Sequence, residues 1–467
     1  MTSFFSKKLF IFLNIMLMLV CSGAVSYGLL LQEAKEEALK ANLDIKISRE
    51  KFSEAQFIRK ESFTNLFPEF SMNSLGSYVD KSSSLFIEKG AYGTYPFGPI
   101  PLNDSVIPMS EKGTYRLGLK IQQPVFAGGR IYFSYRQAKS EEVEALWKEQ
   151  QTIQDVLFTV ETAYYDLLKA EEMRKLSEQH EDTLKTHLAD MEQLYQKGRA
   201  AFVDVLNVRV KVSRASEDVL KTNNDVAIAK VHLNLIMNRP LDQTLDVVPL
   251  GNPKVLSIGV QDAESQAKSR NKALNSARAK KMTALFQRRV AEADYYPNIA
   301  LTGEYFNQNR QPTSPEEQWS VMLKMNWSLW HWGETQHKVN AVRAFERQME
   351  YTVASLENQI AATVRDNFYR IQESDKCIEV AKDAMAQAQE NLRITHIGFD
   401  NGRKTSTEVL DAEDLLSKVS FDYLQAFYDA HAARAHLRYV MGAMEAEDFS
   451  DMRLSVSTPL RDEKPDF

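Results

Sequence analysis

The sequence is poor in cysteine and in long apolar runs. Of its 467 residues only Cys21 and Cys377 are cysteines, and Cys21 lies in the N-terminal segment. A chain without that segment can form no intrachain disulfide, so its stability depends on packing and assembly. Beyond the N-terminus no stretch has 18 consecutive apolar residues, as a transmembrane helix requires. A membrane location would therefore require a β-barrel, whose strands are short and only half apolar.

Sequence patterns of catalysis and of nucleic-acid binding are also missing. The net charge is −6 at pH 7, and no basic tract follows the N-terminus, so nucleic acid is not an expected partner. The chain has no His-Glu-x-x-His, Gly-x-Ser-x-Gly, phosphate-binding glycine loop or cysteine pair. His431 and His436 are five residues apart, a poor spacing for one helical face, and Cys377 is interpreted as a packing residue. We therefore expect no enzyme, no cofactor and no metal site.

The first 26 residues have the three parts of a secretory signal peptide. Lys7 and Lys8 precede an apolar run over 9–20, and small residues follow, with cleavage expected after Ala24 or Ser26. An uncleaved membrane anchor is the alternative, but the run is shorter than the roughly 20 residues that span a bilayer. Lipidation at Cys21 is disfavoured because Val20 stands where a small residue is needed. The signal predicts export from the cytoplasm.

The rest of the chain is an internal duplication. The segment 123–129 (Gln-Pro-Val-Phe-Ala-Gly-Gly) parallels 327–333 (Trp-Ser-Leu-Trp-His-Trp-Gly), an offset of 204 residues that also aligns Gly198 with Gly402. Upstream the offset is 229, and it aligns Asn42 with Asn271. Separated landmarks that share an offset indicate two copies of one structural unit. We assign the first repeat to 27–250, the second to 251–442 and a C-terminal tail to 443–467.

Each repeat is predicted to contain a helix, two strands, a very long helix and a further helix. The long helices have neither proline nor glycine over most of their length, and each could run for about 100 Å at 1.5 Å per residue. The helices that follow them carry apolar residues every seven positions, for example Val205, Val212 and Val219, as in coiled coils. An ordinary helical bundle would show the same face. In the first repeat we expect a helix before residue 67, strands at about 68–80 and 114–127, helices at 129–197 and 202–237, and then a linker; in the second we expect a helix at 261–296, strands at about 297–308 and 318–331, and helices at 332–399 and 405–441.

The predicted strands alternate apolar and polar side chains. In the strand over 318–331, alternate residues from Trp319 to Trp327 are apolar, whereas the residues between them include Ser320 and Lys324. A soluble β-sandwich would also have polar outer faces. Charge on the polar faces and aromatic residues near the ends of the apolar ones favour a wet lumen, a lipid face and an interfacial girdle. The residues expected to face lipid are Trp319, Val321, Leu323, Met325 and Trp327.

Together these features resemble the TolC family of outer-membrane channel-tunnels. The shared features are the signal, the duplication, the long helices and an ordered set of motifs that covers about residues 30–442. The motifs are Pro68, Pro124-Val-Phe-Ala-Gly-Gly129, Tyr195-Gln-Lys-Gly198, Asp204-Val-Leu206, Pro297, Gly402 and Val409-Leu-Asp-Ala412.

The resemblance implies an α+β membrane protein with a duplicated coiled-coil tunnel. Each chain would contribute four strands to a 12-stranded barrel in a homotrimer, with the barrel in outer-membrane lipid and the helical tunnel in the periplasm. Four strands cannot close a pore, whereas a trimer removes every open edge. The implied function is the exit duct of a tripartite efflux pump or a type I secretion system. The implied partners are a periplasmic adaptor (membrane fusion) protein and an inner-membrane pump or ABC exporter.

The resemblance also implies a periplasmic gate and an adaptor-docking tip. The family has an acidic ring just after the second turn, with the pattern Asp-Val-Leu-Asp; this chain has Glu408-Val-Leu-Asp411, and the equivalent first-repeat position is Asp204. Residues three apart share a helical face, so both carboxylates can point inward. A solvated acidic helix start is the alternative. The docking tip is expected at Gly198, Arg199, Gly402, Arg403 and Lys404, where tip salt bridges can form.

Two other classes of protein remain open on the sequence alone. A periplasmic coiled-coil scaffold or adaptor would share the signal and the helices, but it would not need four alternating strands. An exported lipid- or wall-modifying enzyme would need a catalytic site, which the sequence does not provide. The sequence does not identify the transported cargo.

Overall fold

The computed structural model describes residues 28–88, 104–109, 111–253, 256, 258–309 and 315–444. The expected signal peptide with Cys21, and the expected tail from residue 445 onward, lie outside these residues. The helices are α1 (Leu31–Ala41), α2 (Leu43–Thr64), α3 (Arg130–Gln196), α4 (Phe202–Ile236), α5 (Val260–Arg270), α6 (Lys272–Glu292), α7 (Glu334–Asp400) and α8 (Ser406–Val440). The strands are β1 (Glu69–Tyr78), β2 (Ser84–Ile87), β3 (Ser105–Pro108), β4 (Gly113–Phe126), β5 (Asn298–Gln308) and β6 (Glu317–Asn326).

The chain forms two compact units, and neither of them corresponds to a sequence repeat. Of the described residues, one unit takes those before residue 50, those of Lys148–Asn275 and those after residue 355, and the other takes those of Glu50–Trp147 and Ser276–Ser355. Each unit therefore contains parts of both repeats.

The second unit holds a four-stranded antiparallel sheet in the order β1-β4-β5-β6. Side chains in each row across this sheet share a face, because a strand has a period of two residues. The sheet thus has one apolar and one largely polar face. One apolar row is Met72, Leu119, Tyr305 and Trp319, and the next row in the pleat is Ser71, Lys120, Glu304 and Ser320.

Three expected elements differ from the structure. The helix expected over 261–296 is two α-helices and a 3₁₀ turn, Ala293–Tyr295, with a break at Asn271. The helix expected before residue 67 breaks at Asn42 in the same way. The strand expected over 318–331 ends at Asn326. The longer loop of the first repeat contains an unexpected antiparallel pair, β2 with β3.

The core of the first unit is formed where α3, α4 and α8 meet. Val160 and Leu167 of α3 are fully buried, and they belong to one apolar cluster with Leu233 of α4 and Ala435 of α8. The seven-residue pattern of the sequence places Leu233 on this buried face. Burial of such side chains stabilises the three-helix core by about 1.5–3 kcal/mol for each large aliphatic residue.

Among the residues that the structure describes, none of the helices combines the length and the apolar character that crossing a bilayer requires.

Candidate functional site

The two turns that follow the long helices have the same backbone geometry. The N–H of Gly198 donates to the carbonyl of Tyr195 at 2.9 Å, and the N–H of Arg199 donates to the carbonyl of Leu194 at 2.8 Å. The N–H groups of Gly402 and Arg403 repeat these two bonds at the end of α7. This is the Schellman motif, which satisfies the last carbonyls of a helix and requires a left-handed residue.

Glycine is needed in these turns for its backbone conformation and not for lack of space. Gly198 has φ of +70° and Gly402 has φ of +68°. A Cβ added at either residue would meet no other atom within 4 Å. Both turns are therefore open surfaces of the first unit, and a side chain placed there would project outward at a backbone cost of about 1–2 kcal/mol.

The Glu408 carboxylate is bound at the start of α8. Thr405 is the N-cap: its hydroxyl oxygen accepts the N–H of Glu408 at 3.3 Å, and a Glu408 carboxylate oxygen accepts the N–H of Thr405 at 2.8 Å. Lys404 forms an ion pair with the same carboxylate. Hydrogen bonding by Lys404, followed by that of the Thr405 backbone, lowers the pKa of Glu408. Glu408 is thus an ionised member of a capping box.

The other expected gate and tip side chains are not engaged. Asp411 is exposed and Asp204 is half-buried at the start of α4. Among the described residues neither carboxylate makes a hydrogen bond or an ion pair, and the same holds for the guanidinium groups of Arg199 and Arg403. Within one chain, only Lys404 of the three expected basic tip residues forms a salt bridge.

Polar side chains of three helices, α3, α4 and α8, contact one another behind the tip. Ser406, in the first turn of α8, is hydrogen-bonded to the buried ring of His187 from α3, with 2.9 Å between Oγ and Nε2. Asp414 of α8 forms an ion pair with Lys211 of α4 and lies 3.8 Å from Nε2 of His180. Burial lowers the pKa of both His187 and His180. The start of α8 is therefore fixed to α3 and α4 by polar contacts.

Sequence reasoning missed two residues of this region, Glu413 and His187. Glu413 directly follows Ala412, an apolar position of the seven-residue pattern, so the sequence could have placed Glu413 beside the buried face of the helix. Its side chain is 2% exposed, and His396 of α7 lies 3.4 Å from it. Nothing in the pattern around His187 indicated its partner, because Ser406 is 219 residues away.

The residues predicted to face lipid are exposed in the second unit. Trp319, Val321, Leu323 and Met325 lie on one face of β6, and Trp319 is 76% exposed. Trp327 follows the end of the strand, and its indole N–H donates to the carbonyl of Tyr295 at 3.2 Å. A continuous exposed apolar face of this kind marks a surface that another phase or partner covers.

The two strand-to-helix junctions of the second unit differ between the repeats. Gly128 has φ of +61°, and an added Cβ would lie 2.7 Å from the carbonyl oxygen of Ala293 and 2.8 Å from Cβ of Tyr296. The equivalent residue of the second repeat is Trp332, which has φ of +51° and is 87% exposed. The first junction is packed against its own chain, and the second leaves a large aromatic ring uncovered.

The described residues contain no group of three or more His, Cys, Asp or Glu side chains that could hold a metal ion. The rings of His431 and His436 turn to different partners, the carbonyl of Gly251 and the side chain of Asn367. Cys377 is exposed, so its interpretation as a packing residue is wrong.

The sequence of the chain is similar to known outer membrane proteins. A sequence model of the family described as "Outer membrane efflux protein" matches residues 36–239 and 264–443, so it covers most of both repeats. The outer membrane protein TolC of Salmonella enteritidis is 23% identical over 322 residues, which are 66% of this chain and 65% of that protein. The aligned part of the chain thus spans a little under two thirds of that relative's length.

A second relative and a solved structure extend the comparison. The alkaline protease secretion protein AprF of Pseudomonas aeruginosa is 22% identical over 349 residues, which are 72% of this chain and 71% of that protein. The crystal structure of the Campylobacter jejuni CmeC outer membrane channel matches with a TM-score of 0.77 at 14% identity, over 90% of this chain and 86% of that one. At this identity the structural match establishes a shared fold.

Proposed function

This chain belongs to the outer membrane efflux protein family, and we propose that it forms an outer-membrane channel that serves as the exit duct of an efflux pump or a type I secretion system. The observation that carries the proposal is the family match across both repeats, which includes the strands as well as the long helices. A coiled-coil scaffold would not need the four-stranded sheet with one exposed apolar face. Such a channel transports and does not catalyse, so no catalytic residue is assigned.

We further propose that three copies close a 12-stranded barrel. Among the described residues of one chain, β1 and β6 are the outer strands of the sheet, and one side of each is without a partner strand. An open strand edge in lipid leaves backbone N–H and C=O groups unsatisfied, at several kcal/mol for each group. Pairing of β6 with β1 of a second copy removes both edges when three copies close a ring.

The duplication indicates which surfaces meet in this trimer. Inside the chain, Gly128 lies against Ala293 and Tyr296. In the other repeat, the equivalent of Gly128 is Trp332, 204 residues later, and the equivalents of Ala293 and Tyr296 are Thr64 and Phe67, 229 residues earlier. The proposed equivalent contact therefore places Trp332 on Phe67 of the partner subunit. Both rings are exposed in one chain, Trp332 by 87% and Phe67 by 55%, so the contact would bury two apolar surfaces.

The remaining assignments follow from this assembly. The apolar face of β6, from Trp319 to Met325, would face the lipid of the outer membrane, and the opposite face would line the lumen. The turns at Gly198 and Gly402 would form the periplasmic tip and meet an adaptor, with an inner-membrane pump or ABC exporter behind it. The name of AprF, a protease secretion protein, supports cargo that includes proteins as well as small molecules.

We propose the acidic gate at Asp411, with Glu408 and Asp204 beside it. Three chains would bring these carboxylates around one axis, where like charges repel and a bound cation relieves the repulsion. Support comes from the free, exposed carboxylate of Asp411. Glu408 would contribute less, because its carboxylate already caps α8 and pairs with Lys404.

Cysteine crosslinking in cells tests the proposal. In a Cys377→Ser background, Trp332→Cys combined with Phe67→Cys should give a disulfide-linked trimer ladder in the outer-membrane fraction. The matched control is Trp332→Cys with Tyr78→Cys, at the other end of β1, which should stay monomeric on the gel. Crosslinking of the control pair alone would refute the proposed contact. Chain recovered only in the soluble periplasmic fraction would refute the outer-membrane channel.

A further inference from the structure

Glu413 is a buried carboxylate without a hydrogen-bond donor. Its side chain is 2% exposed, and neither carboxylate oxygen accepts a hydrogen bond from any described residue. Burying an ionised carboxylate without such bonds is costly, and buried polar atoms are nearly always partnered. The environment of Glu413 is therefore suited to the protonated acid and not to the anion.

His396 of α7 and Asp414 of α8 lie next to Glu413, and other polar contacts of α8 join it to α3 and α4. His396 of α7 has Nε2 at 3.4 Å from Oε1 of Glu413, within ion-pair distance, and its ring is 42% exposed. Asp414, on the same helix as Glu413, binds Lys211 of α4 and faces His180 of α3. His187 of α3 is hydrogen-bonded to Ser406, seven residues before Glu413. His396 is thus the basic group nearest to the Glu413 carboxylate.

We propose that Glu413 and His396 form a pH-sensitive clamp between α7 and α8 beside the turn at Gly402. When Glu413 carries its proton, the two helices pack closely and the end of the helix pair is held shut. When Glu413 loses its proton, the buried anion has no hydrogen-bond donor and must be hydrated, so water enters between α7 and α8 and the helix pair loosens. The clamp is separate from the exposed carboxylates of the proposed gate.

The electrostatics of the site support close packing of α7 and α8 in acid and loosening at higher pH. Burial, and then the charge of Asp414, raise the pKa of Glu413 from 4.5 to about 7. Between these values the folded state holds a proton that the unfolded chain has released. The stability that this protonated contact provides is therefore complete below pH 4.5 and is lost as the pH rises through about 7. The Glu413 carboxyl therefore changes charge near neutral pH.

The functional meaning of the clamp rests on the proposed function, because only a channel makes this end of the helices an entrance. In the proposed channel, the clamp makes the entrance open more readily at neutral and alkaline pH than in acid. The clamp itself is a property of the α7–α8 pair and can be measured without transport.

Hydrogen–deuterium exchange of the purified full-length protein, corrected for the intrinsic pH dependence of exchange, measures the clamp. In the unsubstituted protein, peptides within 391–416 should lose protection several-fold between pH 5.5 and pH 8. Glu413→Gln, which is permanently neutral, should keep the protection of pH 5.5 throughout. Glu390→Gln on the exposed surface of α7 is the matched control and should behave like the unsubstituted protein.

A second variant keeps the test decisive if Glu413→Gln does not assemble. His396→Lys places a permanent cation of α7 beside the carboxylate, so the anion is paired and the loss of protection at high pH should become smaller. A flat profile in the unsubstituted protein, an unchanged transition in Glu413→Gln, or an unchanged loss of protection in His396→Lys overturns the clamp. Planar-bilayer recording separates the two proposals: an exchange transition in a protein that conducts no ions overturns the channel and leaves the clamp.

Discussion

The side-chain amide of Asn271 donates a hydrogen bond of 3.0 Å to the carbonyl of Val440, at the end of α8. The side-chain oxygen of Asn271 accepts the backbone N–H of Leu274 at 3.0 Å and so begins α6. Asn42 repeats both roles, with the carbonyl of Ile236 at 2.9 Å and the N–H of Ile45 at 3.3 Å. One asparagine in each repeat therefore starts one helix and satisfies the end of another.

Asn271→Ala should lower the stability of the first unit by about 1–3 kcal/mol, because it removes an N-cap and leaves the Val440 carbonyl unpaired. Asn271→Asp keeps the capping oxygen and loses only the amide donor, so it should cost less. Thermal unfolding followed by circular dichroism measures both. Equal losses in the two variants would show that the cap contributes nothing.

The two faces of β6 should respond differently to substitution. Leu323→Arg places a charge on the apolar face and should impair membrane insertion, at a cost of about 2–4 kcal/mol near mid-bilayer. Lys324→Leu, one residue along, changes the opposite face and should assemble normally. The yield of heat-modifiable trimer in the outer membrane measures the assembly of both variants. Equal damage from the two would mean that the faces are wrongly assigned.

The two gate carboxylates should contribute unequally to cation block. Asp411→Asn removes a free carboxylate and should weaken block by multivalent cations from the periplasmic side. Glu408→Gln should have a smaller effect, because that carboxylate is held by Thr405 and Lys404. Single-channel recording in planar bilayers compares the two, with trimer stability as the control. Unchanged block in the double variant would place the constriction elsewhere.

Substitution at Gly402 should separate docking from assembly. Gly402→Val introduces a β-branched side chain at φ of +68° and should abolish transport while trimers still form. Gly402→Asn should retain more activity, because asparagine tolerates the left-handed conformation. Export assays in cells, together with trimer gels, report the difference. Loss of trimers in both variants would assign the turn to assembly and not to docking.

The buried histidines should make the first unit less stable in acid. Burial lowers the pKa of His180, His187, His431 and His436 from the ordinary value of 6.5. Since the unfolded chain binds protons first, the stability that these neutral rings provide is present above pH 6.5 and is lost as the pH falls below it. Glu413 changes stability in the opposite direction over this range, so denaturant unfolding at pH 7.5 and 5.5 should show the loss in Glu413→Gln protein, and adding His187→Gln should reduce it. A double variant with the full acid sensitivity would contradict the assignment.

Much of the fold could be predicted from local pattern. The scarcity of proline and glycine predicts α3 and α7, and alternation predicts the four strands of the sheet, because both signals lie within the segments themselves. The breaks at Asn42 and Asn271 could not be predicted in this way. Each break depends on a carbonyl about 170–194 residues away in sequence. The apolar pattern also continues past Asn326, where β6 ends.

The candidate site also combines features that local sequence predicts with contacts that it does not predict. The Schellman turns at Gly198 and Gly402 follow from short local motifs and are present in the structure. The spacing of Glu408 and Asp411 suggests a shared face, but it does not reveal that Thr405 and Lys404 hold the Glu408 carboxylate. The approach of His396 to Glu413 depends on how α7 and α8 align across the turn, which a one-dimensional pattern does not specify.

The mixing of the two repeats in each compact unit sets the order in which the chain can fold. An exported chain emerges from its N-terminus, so the first repeat reaches the periplasm while β5, β6 and α8 are still missing. At that stage β4 has no β5 beside it, and the buried seam of α3 and α4 has no α8 to cover it. Exposed strand edges and apolar seams promote aggregation. The unfinished chain must therefore be kept from aggregating until its last helix has been translocated, and a truncation that removes α8 leaves the buried seam of α3 and α4 permanently uncovered.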